Sequence, residues 1–207
     1  ARAVTAQTAG VFDAEMVEVA GLRADDRPRA GLDVARLSRF PAQFVTGGTV
    51  TAGNSCGNSD GAAGVAVVPE RVRDALGLPG LAVRSWGVVG VDPALPGLGP
   101  VPAVTTALKR AGLGLDDVDV LEVTEAFSAQ VLACTDALGL DALGSDAGRV
   151  CPDGGAIALG HPWGASGAML VVRLFSSLVR RDLGTVGVAT CAVGGGIGLA
   201  VVVERVG

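Results

Sequence analysis

One histidine occurs in 207 residues, and it sits in Gly154-Gly155-Ala156-Ile157-Ala158-Leu159-Gly160-His161-Pro162-Trp163-Gly164-Ala165-Ser166-Gly167. Glycines on both sides let backbone approach a ligand closely. The stretch reads as a strand end or loop that sets one imidazole just ahead of a helix. That helix is expected over residues 165–181. Arg173, Ser176, Ser177 and Arg180 recur there at helical spacing, which leaves the rest of the circumference for burial. A helix N-terminus beside His161 favours negative charge, such as a developing oxyanion. A lone histidine in an arbitrary chain is more often packed in a core than catalytic, and only its surroundings separate the two.

Hydrophobic residues make up 49% of the chain and charged residues 18%, which is the composition of a well-buried globular protein. Thirty-two glycines point to many turns and close backbone contacts. The net charge of -5 argues against a nucleic-acid partner. No apolar run approaches the roughly 20 residues of a membrane span, so no membrane partner is expected. The start carries no signal-peptide pattern. Cys56, Cys134, Cys151 and Cys191 lie far apart without Cys-x-x-Cys spacing, and with one histidine no metal is expected. A reduced, cytoplasmic protein is the simplest reading. The opening Ala1-Arg2-Ala3-Val4-Thr5-Ala6-Gln7 is helix-like but lacks a methionine and a cap, as in a fragment, a processed product or one part of a split protein.

Along the chain, residues 1–39 are loop-rich, with a charged cluster at 23–29 expected in solvent. Gly47-Gly48-Thr49-Val50-Thr51-Ala52-Gly53-Asn54-Ser55-Cys56-Gly57-Asn58 is too small and polar for a core helix and reads as irregular backbone lining something. Residues 61–68 are apolar and read as a helical turn feeding a buried strand. Pro69 opens a short helix to Leu76. Strands are expected at 81–91, 118–123, 185–192 and 197–204, and helices at 102–111 and 124–138. Gly112 stops the first of these helices. Strands alternating with helices imply an α/β layered fold closed by a hairpin-like pair.

Blocks in order through the chain resemble the thiolases. They are Gly48-Thr49-Val50-Thr51-Ala52-Gly53-Asn54 through Asp60-Gly61-Ala62-Ala63, Gly90-Val91-Asp92-Pro93 with Gly99-Pro100-Val101-Pro102-Ala103, Glu125-Ala126-Phe127, the His161 stretch, and Gly194-Gly195-Gly196-Ile197-Gly198. The resemblance implies a thiolase-like α/β fold and covers roughly the C-terminal half of a full thiolase. It divides the chain into the second part of a loop domain (1–58), the last piece of an N-terminal core domain (59–79) and a C-terminal domain (80–207). It implies acyl transfer between coenzyme A thioesters and a carbon nucleophile, with no permanently bound cofactor. The nucleophilic cysteine of the family belongs to the other half, so an N-terminal thiolase half, separate or cleaved, is the implied partner beside acyl-CoA. A homo- or hetero-oligomer is expected. His161 matches the residue that activates that cysteine and helps bind the thioester oxygen. Phe44, Ala52, Ala126 and Phe127 match contacts to the pantetheine arm.

Three positions depart from the family pattern. Where an asparagine holds an oxyanion-site water, this chain has Thr124, whose hydroxyl suits either that water or an N-cap for the next helix. Where a serine follows Gly-Asn-x, it has Cys56, a thiol suited to packing on pantetheine. The family pattern Cys-x-Gly-Gly-Gly is Ala192-Val193-Gly194-Gly195-Gly196 here, with Cys191 one residue early. One residue in a strand means the opposite face, so only a bulge would bring Cys191 to that site. Without it the usual acid/base for the α-proton is missing. Decarboxylative condensation, simple acyl transfer and thioester hydrolysis need no such base. A non-catalytic thiolase-like subunit is the remaining reading.

Overall fold

The valine-rich segments near the C-terminus form the middle of a sheet, because residues buried on both faces need a strand neighbour on each side. A computed structural model describes residues 1–207. Its strands are β1 (Gly80–Gly90), β2 (Val120–Val123), β3 (Val186–Val193) and β4 (Ile197–Val206). They lie in the order β1-β4-β3-β2. β2 and β3 run parallel, and the other two pairings are antiparallel. The helices are α1 (Arg2–Thr8), α2 (Val34–Leu37), α3 (Glu70–Leu76), α4 (Pro100–Ala111), α5 (Ser128–Leu138), α6 (Ala156–Leu159) and α7 (Ser166–Leu174). None is long and apolar enough to cross a membrane.

Two cores flank the sheet. On one face Val104, Ala107 and Leu108 of α4 pack with Leu121, Val123, Val188, Ala200 and Val202. On the other, Leu174 and Leu178 pack with Val120, Ala189 and Val203. Adjacent residues such as Val188 and Ala189 therefore serve opposite cores, as the two-residue repeat of a strand requires. β1 departs from that repeat. Val83 pairs with Val203 and Ser85 with Val202, which leaves Arg84 as the extra residue of a bulge. Arg84 reaches Glu204 in an ion pair.

Several expectations are corrected. The helix expected over 165–181 begins with a 3-10 turn (Trp163–Ala165), continues as α7 and widens into a π-helical segment (Phe175–Arg180). Its polar residues are not a solvent face: Arg173, Ser176 and Ser177 are buried. Arg173 donates to Glu15 and Asp153, Arg181 donates to Asp153, and Ser176 bonds Glu15. The Arg173 guanidinium also lies 4.6 Å above the Phe12 ring. Helical spacing located this face correctly, but paired charges fill it. Residues 61–68 form neither helix nor strand, since no strand neighbour is offered to them, and Val67 is 87% exposed. The helix expected from residue 124 starts at Ser128 with Phe127 as its N-cap. Thr124 does not cap it, because its N–H still extends the sheet ladder to Thr190 O at 3.0 Å.

Candidate active site

Residues 51–58 cannot form a core of their own, so their backbone polar groups are satisfied by neighbours. Asn54 shapes the loop first: its Oδ1 accepts from Thr51 N–H at 2.8 Å and its amide donates to Thr49 O at 2.8 Å. The loop then ties two walls together. On one side, Cys56 N–H donates to Ala126 O and Ser128 N–H to Asn54 O, both at 2.9 Å. On the other, His161 N–H donates to Gly57 O at 2.9 Å, and Asn58 and His161 form an isolated parallel bridge. The Thr124–Phe127 corner, Cys56 and His161 thus converge on one seam, although 105 residues separate Cys56 from His161.

The imidazole is held from both sides. Its Nδ1 lies 2.6 Å from Ser166 Oγ, on the first residue of α7. With Nδ1–H donated to that hydroxyl, Nε2 keeps a free lone pair. Trp163 stacks on the ring at 5.4 Å between centroids, with planes 22° apart. Burial holds His161 below its ordinary value, so the ring is neutral at pH 7 and able to take a proton.

Thr124, two residues before the Ala126 carbonyl that Cys56 bonds, is buried, and its Oγ1 has no partner in the protein. A buried hydroxyl in that state is equipped to hold a water or a ligand oxygen. Glu125 turns under the His161 loop, where its Oε2 accepts from Ile157 N–H at 3.2 Å. Burial raises its pKa most, and the hydrogen bond from Ile157 opposes that. Glu122, two residues before Thr124, is fully buried with one carboxyl oxygen unpartnered. Burial first, then Asp153 and Glu125, push it up to about 8 against the pull of Arg173.

The apolar residues stand nearby. Phe44 and Phe127 meet edge to face at 6.1 Å. Ala42 bridges Thr51 and Gln43 N–H donates to Val50 O at 2.9 Å, which puts Phe44 and the exposed Ala52 on one small hairpin. The cluster at 23–29 is not uniformly solvated. Arg23 pairs with Glu18, whereas Arg27 is half-buried and donates to Asn58 O at 3.2 Å.

No bulge rescues Cys191. The β3–β4 ladder runs unbroken from Val186 opposite Glu204 to Val193 opposite Ile197. Cys191 therefore shares the face of Ala189, and Ala192 points to the other. Burial pushes the thiols of Cys56, Cys134, Cys151 and Cys191 up, so none of the four has the lowered pKa of an activated thiolate. Sequence reasoning missed Ser166, Asn58 and Glu125 as site residues. Ser166 was legible as a hydroxyl five residues past the histidine at a helix start. The reach of Asn58 to residue 161 leaves no local signal.

Comparison with known proteins accounts for both parts of the chain. The family model described as "Thiolase, N-terminal domain" matches residues 1–71, and "Thiolase, C-terminal domain" matches residues 78–205. The chain is similar to acetyl-CoA acetyltransferase of Pseudomonas aeruginosa, with 46% identity over 91% of this chain and 47% of that protein. It is also similar to the peroxisomal 3-ketoacyl-CoA thiolase B of Rattus norvegicus, with 41% identity over 100% of this chain and 51% of that one. The crystal structure of the Bacillus anthracis acetyl-CoA acetyltransferase superposes with a TM-score of 0.91 and 36% identity, over 99% of this chain and 53% of that chain. The chain spans about half the length of the curated relatives it matches.

Proposed function

From the premise that this chain belongs to the thiolase family, we propose that it supplies the histidine half of an acyl-CoA acyltransferase site. The nucleophilic cysteine comes from sequence outside these 207 residues, on the same or another polypeptide. The observation that carries this reading is His161 itself. Its Nδ1 is taken by Ser166, its ring is neutral, and it stands across one loop from a buried, unpartnered threonine hydroxyl.

In the proposed cycle Nε2 takes the proton of the incoming cysteine thiol, and the thiolate attacks the thioester carbonyl. The acyl group moves to the cysteine, and the departing coenzyme A thiolate is protonated. In the second step a carbanion, generated by decarboxylation or by loss of an α-proton to a base outside these residues, or a water that gives its proton to His161, attacks the acyl carbon, and the cysteine leaves as the thiolate. Thr124 Oγ1 holds a water that stabilises the thioester oxygen, the part that hydrogen-bond donors play in an oxyanion site. Phe44, Phe127, Ala126, Ala52 and Cys56 line the pantetheine path. The thiol of Cys56 stays protonated and packs. Four unpaired cysteines suit a reducing compartment, and we place the reaction in the cytoplasm.

The unbroken β3–β4 ladder favours a second reading. With alanine at the family's second cysteine position, the site transfers acyl groups, condenses with decarboxylation or hydrolyses thioesters without removing an α-proton. Mass spectrometry of the native protein after acetyl-CoA tests the first step. An acyl group should appear on a cysteine outside this chain, and His161→Ala should abolish it by about 10²–10⁴ in rate. Cys191→Ser should leave it unchanged. Acyl transfer without deuterium exchange into the acetyl methyl group in heavy water selects the second reading. No acylation at all selects a non-catalytic subunit.

A further inference from the structure

We propose that Trp163 is a positioning residue for His161: an indole pinned by Asn58 that fixes the imidazole plane and closes one of its two faces. The proposal rests on reading His161 as the base of the site.

Three independent observations carry it. First, the rings are stacked, not merely near one another, at 5.4 Å and 22°. Second, the indole is anchored by its polar edge: Nε1–H donates to Asn58 Oδ1 at 3.2 Å. Asn58 is the residue whose backbone bridges His161 and accepts from Arg27, so indole, imidazole and guanidinium share one support. Third, Trp163 has φ +40°, a left-handed conformation that a bulky side chain adopts only when its surroundings demand it. Glycine follows directly at 164 and would fill that conformation more easily. Burial does not explain the residue, because Trp163 is 69% exposed. A large aromatic side chain is thus held in a strained backbone, over an active imidazole, with its outer face in water.

The geometry has a chemical result. Ser166 fixes the ring at Nδ1, which still permits rotation about that contact, whereas a stacked plane removes the rotation. Nε2 then points in one direction, as a general base within hydrogen-bond reach of its proton must. A substrate arriving on the indole side meets the indole, so approach is confined to the Nε2 edge and the open face.

The test uses the native protein and the NMR signal of the His161 ring, assigned by its loss in His161→Gln. In the unaltered protein the ring carbon-bound protons should be displaced upfield by the indole, and the ring should titrate below the usual value of about 6.5. Trp163→Leu should remove the displacement, move the midpoint up towards that usual value, and lower kcat about tenfold with little change in KM. Trp163→Phe, which keeps a ring to stack, should restore both signals. Asn58→Ala keeps the indole but removes its anchor, and should give the same changes at smaller size. Arg27 lies against Gly57 and Gly160, and none of these variants replaces it. An exposed side chain adds little to folding, and unchanged melting confirms each variant as folded. A His161 signal and midpoint in Trp163→Leu equal to those of the parent overturn the proposal. So does a fall in kcat that Trp163→Phe does not restore. Failure of the acyltransferase reading would show separately, as a parent protein that never acquires an acyl group while its imidazole still carries the ring shift.

Discussion

Residues 1–79 and 80–207 are built on different principles. In the first region only Ala3, Ala6 and Phe12 are buried, whereas the second holds both cores of the sheet. The first region has three short helices and no strand, and it is laid on the second by backbone hydrogen bonds, by Arg2 donating to the carbonyls of Val150 and Ala142, and by one charged cluster. The seam between them is where His161, Cys56 and the Thr124–Phe127 corner meet. The difference teaches that the scaffold and the site draw stability from separate sources: apolar packing for the sheet, paired polar groups for the seam.

The largest expected effect comes from cutting the charged tie. Arg173→Met leaves the little-exposed carboxylates of Glu15 and Asp153 without that partner, and should cost about 3–5 kcal/mol in urea unfolding. Residues 13–30 should become the first site of limited proteolysis. Stability equal to the parent would mean that the front region is held by its backbone bonds and by Arg2 without the charged cluster. Leu121→Ala, at a fully buried position of the sheet core, should cost about 2–5 kcal/mol without exposing residues 13–30 to protease.

A smaller effect depends on pH. Glu122 has its folded pKa raised to about 8, above the usual carboxyl value, so the folded state keeps a proton that the unfolded state releases. The folded state then binds more protons between roughly pH 4.5 and 8, and stability contributed by the protonated group is lost as pH rises through that window. Glu122→Gln removes this slope. Unfolding curves at pH 5 and 8 should differ less in the variant than in the parent, and an equal difference would assign the slope to other groups. The smallest effect is expected at the seam's rim. Phe44 is 73% exposed, so Phe44→Ala should change stability by no more than about 0.5 kcal/mol. In the proposed reaction it should raise KM for acyl-CoA.

Legibility followed the same divide. Apolar, β-branched runs and the Gly112 stop placed all four strands and α4 within a few residues, because each of these elements is decided by local burial. The bulge at Arg84 has no such local mark. Strict alternation would put Val83 and Ser85 on one face, but Val83 lies opposite Val203 and Ser85 reaches across to Ala107 O on α4. The motif around His161 pointed to the candidate site, yet its supporting contacts come from residues 57, 58 and 125, set by tertiary approach and not by sequence neighbours. Arg173 and Ser176 looked like a wet helix face because partners 158 and 161 residues away neutralise them.

The two glycines flanking the histidine loop have a consequence for heredity. A methyl group on Gly155 would fall 2.7 Å from the Glu125 carboxyl carbon, and one on Gly160, at φ +95°, would fall 2.5 Å from Ser59 Oγ. At Gly160 the left-handed backbone itself disfavours a side chain, whereas at Gly155 the Glu125 side chain would have to swing away from Ile157. Random change in this loop is therefore filtered twice, once by backbone conformation and once by the neighbour that must yield.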